Sequence, residues 1–209
     1  MIRIITIERE YGSGAAAIAE KVAARLGWKL WDQLLTEEIA RLAHCESSVV
    51  QKREERRDPL YYRLIKSFAL GSYEGSRGAP IEMLDADSIV RISEQVVERV
   101  TSAGNCVIVG RGSQHFLRHR KDTFRFFLYA SREGKVRRLV SEGKRGSDAA
   151  TLVDRVDRER AGFIKQYFHV EWPNRAVYHA MFNTDAGEEI VVQAILDFYQ
   201  QSQSVGIAD

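Results

Sequence analysis

The residues with the clearest chemical potential lie between Glu8 and Ala16. A turn, Glu8-Arg9-Glu10-Tyr11-Gly12-Ser13-Gly14, separates the β-branched run Ile4-Ile5-Thr6-Ile7 from an alanine-rich helix start at Ala15 to Ala19. Small residues in such a turn let successive backbone N–H groups converge on a phosphate, and the following helix adds the positive end of its dipole. Set against G-x-x-x-x-G-K-[ST] with Gly14 as the second glycine, Arg9 stands at the first glycine, Ala15 at the lysine and Ala16 at the metal-binding hydroxyl. The backbone cradle is present in outline, but two side-chain handles are absent. Arg9, on the same turn, is the cation expected to fold back in place of the lysine. Alone, the segment reads equally well as an ordinary βα connection.

Other chemistry-bearing residues fall at the ends of apolar runs. Arg111 sits between Gly110 and Gly112 directly after Cys106-Val107-Ile108-Val109. Flanking glycines expose a guanidinium, whose planar fork suits bidentate phosphate contact; the competing reading is a structural ion pair with Asp32. Asp32 closes the short alternating run Trp28-Lys29-Leu30-Trp31, and Asn183-Thr184 close a run that starts at Met181. A further basic series, Arg132, Lys135, Arg137, Arg138, Lys144, Arg145, Arg155, Arg158 and Arg160, spans a hairpin interrupted by Gly143 and Gly146. Cations on a hinged lid could close over a transferring phosphoryl group and neutralise its charge. Asp154, Asp157 and Glu159 could instead pair with them on solvated helix faces. Tyr73, in a glycine- and serine-containing stretch that reads as a flap, could touch a base. His44, His115, His119, His169 and His179 show no metal-ligand spacing with a cysteine, so no protein metal site is assigned.

The elements that must position these groups alternate. Helical periodicity follows the turn through Ile18, Val22, Ala23 and Leu26, with Gly27 as a left-handed cap. A helical stretch runs from Gln33 towards Leu70, with Pro59 opening its second part. Asp87 is read as the cap of a helix ending at Gly104, and Cys106–Val109 as a strand buried on both faces. A strand over Phe124–Tyr129, helices from Lys135 and over Ala149–Phe168, a short strand Met181–Thr184 and a closing helix through Ile190 and Phe198 complete the order, with a polar tail from Gln201 expected to fray. Such alternation predicts an α/β fold, a doubly wound, mainly parallel sheet of about five strands in a single domain over 1–209. Strand ends then share one edge, where phosphate-rich ligands bind.

Composition narrows the classes further. A net charge of +2 does not point to DNA, RNA or a membrane surface as partner. Cys45 and Cys106 form no C-x-x-C, which fits reduced thiols, and no signal-peptide pattern or apolar run of bilayer length occurs. A soluble, cytoplasmic protein acting on a nucleotide or other phosphorylated small molecule is expected, with homo-oligomerisation left open.

Taken together, Ile5 to Glu20, Trp31-Asp32, Val107 to Gly112 with Phe116-Leu117, Phe127 to Ala130, Asp157-Arg158 with Arg160 and Tyr167, and Asn183-Thr184 resemble the cytidylate-kinase-like family of P-loop proteins, over nearly the whole chain. The resemblance implies a P-loop NTPase-like fold of the nucleoside monophosphate kinase type, with a monophosphate-binding helical insert near 33–80 and a helical lid near 137–160. It implies ATP and Mg²⁺ as cofactors and phosphoryl transfer to CMP or dCMP. By the same resemblance Gly12-Ser13-Gly14 match the phosphate loop, Arg111 the arginine that holds the acceptor phosphate, and Arg158 with Arg160 the lid arginines; from the residues themselves Ala15, Ala16, Asn183 and Thr184 are placed on the ATP side, Asp32 and Tyr73 on the acceptor side, and Arg9 with catalysis. The chain departs from the pattern at Gly112, where an aspartate is usual, and at Ala15-Ala16, where members often carry Gly-Arg. Two other readings stay open: a pseudokinase that binds a nucleotide or anion and acts through a protein partner, and a kinase for another small acceptor.

Overall fold

A computed structural model of the chain describes residues 1–42 apart from 36 and 40, and residues 86–205. Most of the expected insert, with Pro59 and Tyr73, lies outside the described residues.

Five parallel strands form the sheet: β1 (Ile4–Arg9), β2 (Lys29–Trp31), β3 (Cys106–Val109), β4 (Thr123–Tyr129) and β5 (Ala180–Asn183), in the spatial order β2-β3-β1-β4-β5. β1 is central, pairing Ile4 with Cys106 and Ile7 with Val109 on one side, and Ile4 with Thr123 and Arg9 with Leu128 on the other. Every residue of β1 and β3 is buried, because helices cover both faces.

Side-chain alternation divides the core. Ile5, Ile7, Val107, Val109, Phe126 and Leu128 pack against α1 (Ala15–Leu26) and the closing helix α6 (Glu188–Val205). Ile4, Cys106 and Ile108 meet the opposite layer, built from α2 (Ala86–Ser102), Leu35 and Ile39. After β3 come the single-turn α3 (Ser113–Phe116), then β4 and the hairpin of α4 (Arg132–Ser141) and α5 (Gly146–Phe168). Gly27 caps α1 at φ 65°, as its place in the sequence predicts. Two expectations need correction. Asp87 lies within the first turn of α2, which already begins at Ala86, and the polar tail stays helical to Val205. Polarity alone does not stop a helix when no glycine or proline interrupts it.

Candidate active site

The carboxyl ends of β1, β3 and β2 bring Arg9, Arg111 and Asp32 to one edge of the sheet, and α5 adds Arg160. All are buried: Arg9 is 6% exposed, Arg111 5%, Asp32 7% and Arg160 9%. Burial disfavours the charged forms of Arg111 and Arg160, and Arg9 repels both guanidiniums. Arg111 is thereby pushed down to about 9, with Asp32 and Glu8 opposing the shift, and Arg160 to about 10, with Glu8 and Asp157 opposing it. Three arginines thus crowd together away from water, with Glu8, Asp32 and Asp157 beside them, and their forks supply more N–H donors than these carboxylates take up, which suits a phosphate.

Backbone geometry aims this cluster. Gly110, Arg111 and Gly112 are all left-handed, with φ of 67°, 58° and 69°. The middle residue adopts this conformation at a steric cost that glycine avoids. A Cβ built on Gly110 would overlap the Arg9 guanidinium. Arg9 therefore extends to the end of β3. Glu8 ties the floor together: its Oε1 accepts the Arg9 backbone N–H at 3.0 Å and its Oε2 accepts Gln114 Nε2 at 2.6 Å. Arg160 Nη1 donates to the Arg9 carbonyl at 2.9 Å and lies 3.7 Å from Asp157 Oδ1.

The glycine turn itself is held by the α4–α5 hairpin. Lys135 Nζ donates to Glu10 Oε2 at 2.8 Å and Asp157 Oδ2 at 2.9 Å, and the Tyr11 N–H donates to Asp157 Oδ1 at 2.7 Å. Arg138 Nη1 donates to the Gly12 carbonyl at 2.6 Å. Tyr11 packs on the small core of Leu139, Ala149 and Val153. Thr184 Oγ1 donates to the Ser13 carbonyl at 2.8 Å, and Asn183 Oδ1 accepts the Asp185 N–H at 3.0 Å. These two residues thus brace the turn and cap its neighbour. Ser13 Oγ is buried with no hydrogen-bond partner among the described residues. Ala15 is buried, whereas Ala16 and Arg158 are exposed, so the structure does not bring Arg158 into the arginine cluster.

Several of the basic hairpin residues are spent on carboxylates. Arg132 pairs with Asp154 at 2.8 Å, and Lys135 is buried between two carboxylates. Glu8, Gln114, Lys135 and Arg138 are site residues that spacing does not reveal; their partners lie 106 to 126 residues away in the chain. Cys106 is a free, buried thiol raised to about 11 by desolvation, and it takes no part in the site. Among the described residues no group of three His, Cys, Asp or Glu side chains could hold a metal ion, and no helix is long and apolar enough to cross a membrane.

Residues 4–186 match the model of the cytidylate kinase-like family. No curated protein matches the chain. Among solved structures, an uncharacterized protein from Eubacterium ventriosum superposes with a TM-score of 0.65 at 17% identity, covering 95% of this chain and 98% of that one. Shikimate kinase from Bacteroides thetaiotaomicron does so with a TM-score of 0.54 at 16% identity, covering 96% and 99%. Shikimate kinase from Acinetobacter baumannii, solved with shikimate, gives 0.54 at 16% identity, covering 97% and 95%. At such identities the likeness establishes the fold, that of the P-loop kinases.

Proposed function

Because the chain belongs to the cytidylate kinase-like family, we propose that it is a cytoplasmic enzyme that transfers the γ-phosphoryl group of ATP to a nucleoside monophosphate such as CMP or dCMP. The observation that carries this reading is the buried cluster Arg9–Arg111–Arg160 beside the glycine turn. In it, ATP phosphates rest on the Gly12–Gly14 turn and the acceptor phosphate lies in the fork of Arg111, whose charge Asp32 supports. An acceptor oxygen attacks the γ-phosphorus, the bond to the β-bridging oxygen breaks, and ADP leaves. Arg9 and Arg160 offset the charge spread over the transferring group, a preorganised electrostatic role that asks for no proton relay.

The donor set bears differently on the two groups that the family implies. A turn with left-handed Gly12 and Gly14 and a buried, unpartnered Ser13 hydroxyl suits phosphate oxygens. For Mg²⁺, position 16 supplies no hydroxyl. The residues present fit an ion held chiefly by ATP phosphates and water, with Asp32 a carboxylate at that edge.

Ala15 and Ala16 favour a second reading, a pseudokinase that binds the nucleotide and acts through a partner. Losing one positioned donor at developing charge costs about 3–4 kcal/mol, roughly 10²–10³ in rate. Melting-temperature titrations with ATP and with CMP, run beside an ADP-release assay over a panel of monophosphates, separate the readings. Stabilisation with acceptor-dependent ADP release supports the kinase, and stabilisation without release supports the pseudokinase. Release with only a non-nucleotide acceptor moves the substrate class.

A further inference from the structure

Resting on the reading that the glycine turn holds the phosphates of a nucleoside triphosphate, we propose that Arg138 takes over the charge-neutralising role of the absent turn lysine. The side chain at position 15 is an alanine, the first residue of α1, buried in the core against the sheet, so no cation reaches the turn from the lysine's own place. Arg9 is the one cation the turn carries in Glu8–Gly14, and its guanidinium is drawn away to Gly110 and lies 3.7 Å from Glu8 Oε1.

Arg138 arrives from the other side. Its Nη1 donates to the Gly12 carbonyl at 2.6 Å. A Cβ built on Gly14 would meet its Nε at 2.8 Å and its Cζ at 3.1 Å. The guanidinium therefore spans both glycines of the turn, and any side chain at position 14 would displace it. The bond to Gly12 also covers a carbonyl dipole that would otherwise repel an incoming phosphate.

Arg138 touches both glycines of the turn with a charge that, unlike those of Arg132, Lys135 and Arg160, no carboxylate at ion-pair distance offsets. Arg132 is neutralised by Asp154, Lys135 by Glu10 and Asp157, and Arg160 lies beside Asp157. Among the described residues Arg138 has no carboxylate within ion-pair distance, Asp185 acting on it only from farther off, and it spends one donor on a carbonyl, which leaves donors of its fork for phosphate oxygens. Its placement is fixed from both sides in sequence: Lys135, one helical turn earlier, is tied to Glu10, and Leu139, the next residue, is buried against Tyr11.

The test measures ATP, inorganic triphosphate and CMP affinities of the full chain by calorimetry, for wild type, Arg138→Ala, Arg138→Gln and Arg138→Lys. Glutamine keeps a donor for the Gly12 carbonyl but no charge, whereas lysine keeps the charge without the fork. Arg138→Ala and Arg138→Gln should weaken ATP and triphosphate binding about 10-fold to 100-fold, as expected for lost charge-assisted bonds. Arg138→Lys should recover most of that loss, and CMP affinity should not move. If Arg138→Gln binds ATP like wild type, the residue only props the turn and the proposal is overturned; unchanged binding by Arg138→Ala overturns it too. Wild-type protein that binds neither ATP nor triphosphate would remove the underlying reading, an outcome distinct from normal wild-type binding that is indifferent to residue 138.

Discussion

Arg111 holds a φ of 58° between two left-handed glycines, a conformation that costs an L-residue about 1–2 kcal/mol. Strain of this kind persists where surrounding structure fixes it, and here it directs a guanidinium into a buried cluster of like charge. The planar fork is what the site needs, so Arg111→Lys keeps the charge but loses the paired donors. Steady-state kinetics should show kcat/KM for the acceptor falling by about 10²-fold, with the KM for ATP little changed. His115 makes a separate prediction about stability. It stacks on Phe168 at 4.3 Å, and burial first, with Arg118 adding to it against the pull of Glu8, holds it down to about 4 from 6.5. The folded state therefore keeps it neutral where the unfolded chain binds a proton. Its contribution is complete above pH 6.5 and is lost as pH falls towards 4, a change on the order of 3 kcal/mol. Urea unfolding from pH 7 to pH 4 should show this slope, and His115→Gln should flatten it.

The glycine turn and the α4–α5 hairpin behave as one element. Lys135 is the hinge pin, buried between Glu10 of the turn and Asp157 of α5. Lys135→Met leaves both carboxylates without that partner in a half-buried place. It should cost about 3 kcal/mol, roughly 6–12 °C in melting temperature for a chain of this size, by calorimetry. Much of the element level was legible in the sequence. The apolar run Cys106–Val109, bounded by turn residues, reads as a strand covered on both faces, and Gly27 marks where α1 ends. Arg111 stood out through its two glycines. What periodicity could not convey was which basic residue of the hairpin faces the turn. Lys135 and Arg138 lie one helical turn apart in the same cluster as the exposed Arg137 and Arg158, and their partners are 125 and 126 residues away. The direction of Arg9 is hidden for a related reason: it is set by Gly110, in the turn after another strand.

At the scale of the whole molecule, strand order β2-β3-β1-β4-β5 places the turn after β1 directly between the ends of β3 and β4. The topology thus gathers Arg9, Arg111 and Asp32 at one edge, and α5 brings Arg160 across to the Arg9 carbonyl. A sheet buried on both faces keeps that edge rigid while the chemistry stays on loops and helix starts. Phosphorus-31 NMR of the protein mixed with ATP, Mg²⁺ and, in turn, CMP, dCMP, UMP and AMP tests the phosphoryl-transfer reading most directly. Formation of ADP together with the matching nucleoside diphosphate, strongest for CMP or dCMP and lost in Arg111→Ala, is the predicted result. No diphosphate product beyond the enzyme-free control with any of the four monophosphates would contradict it.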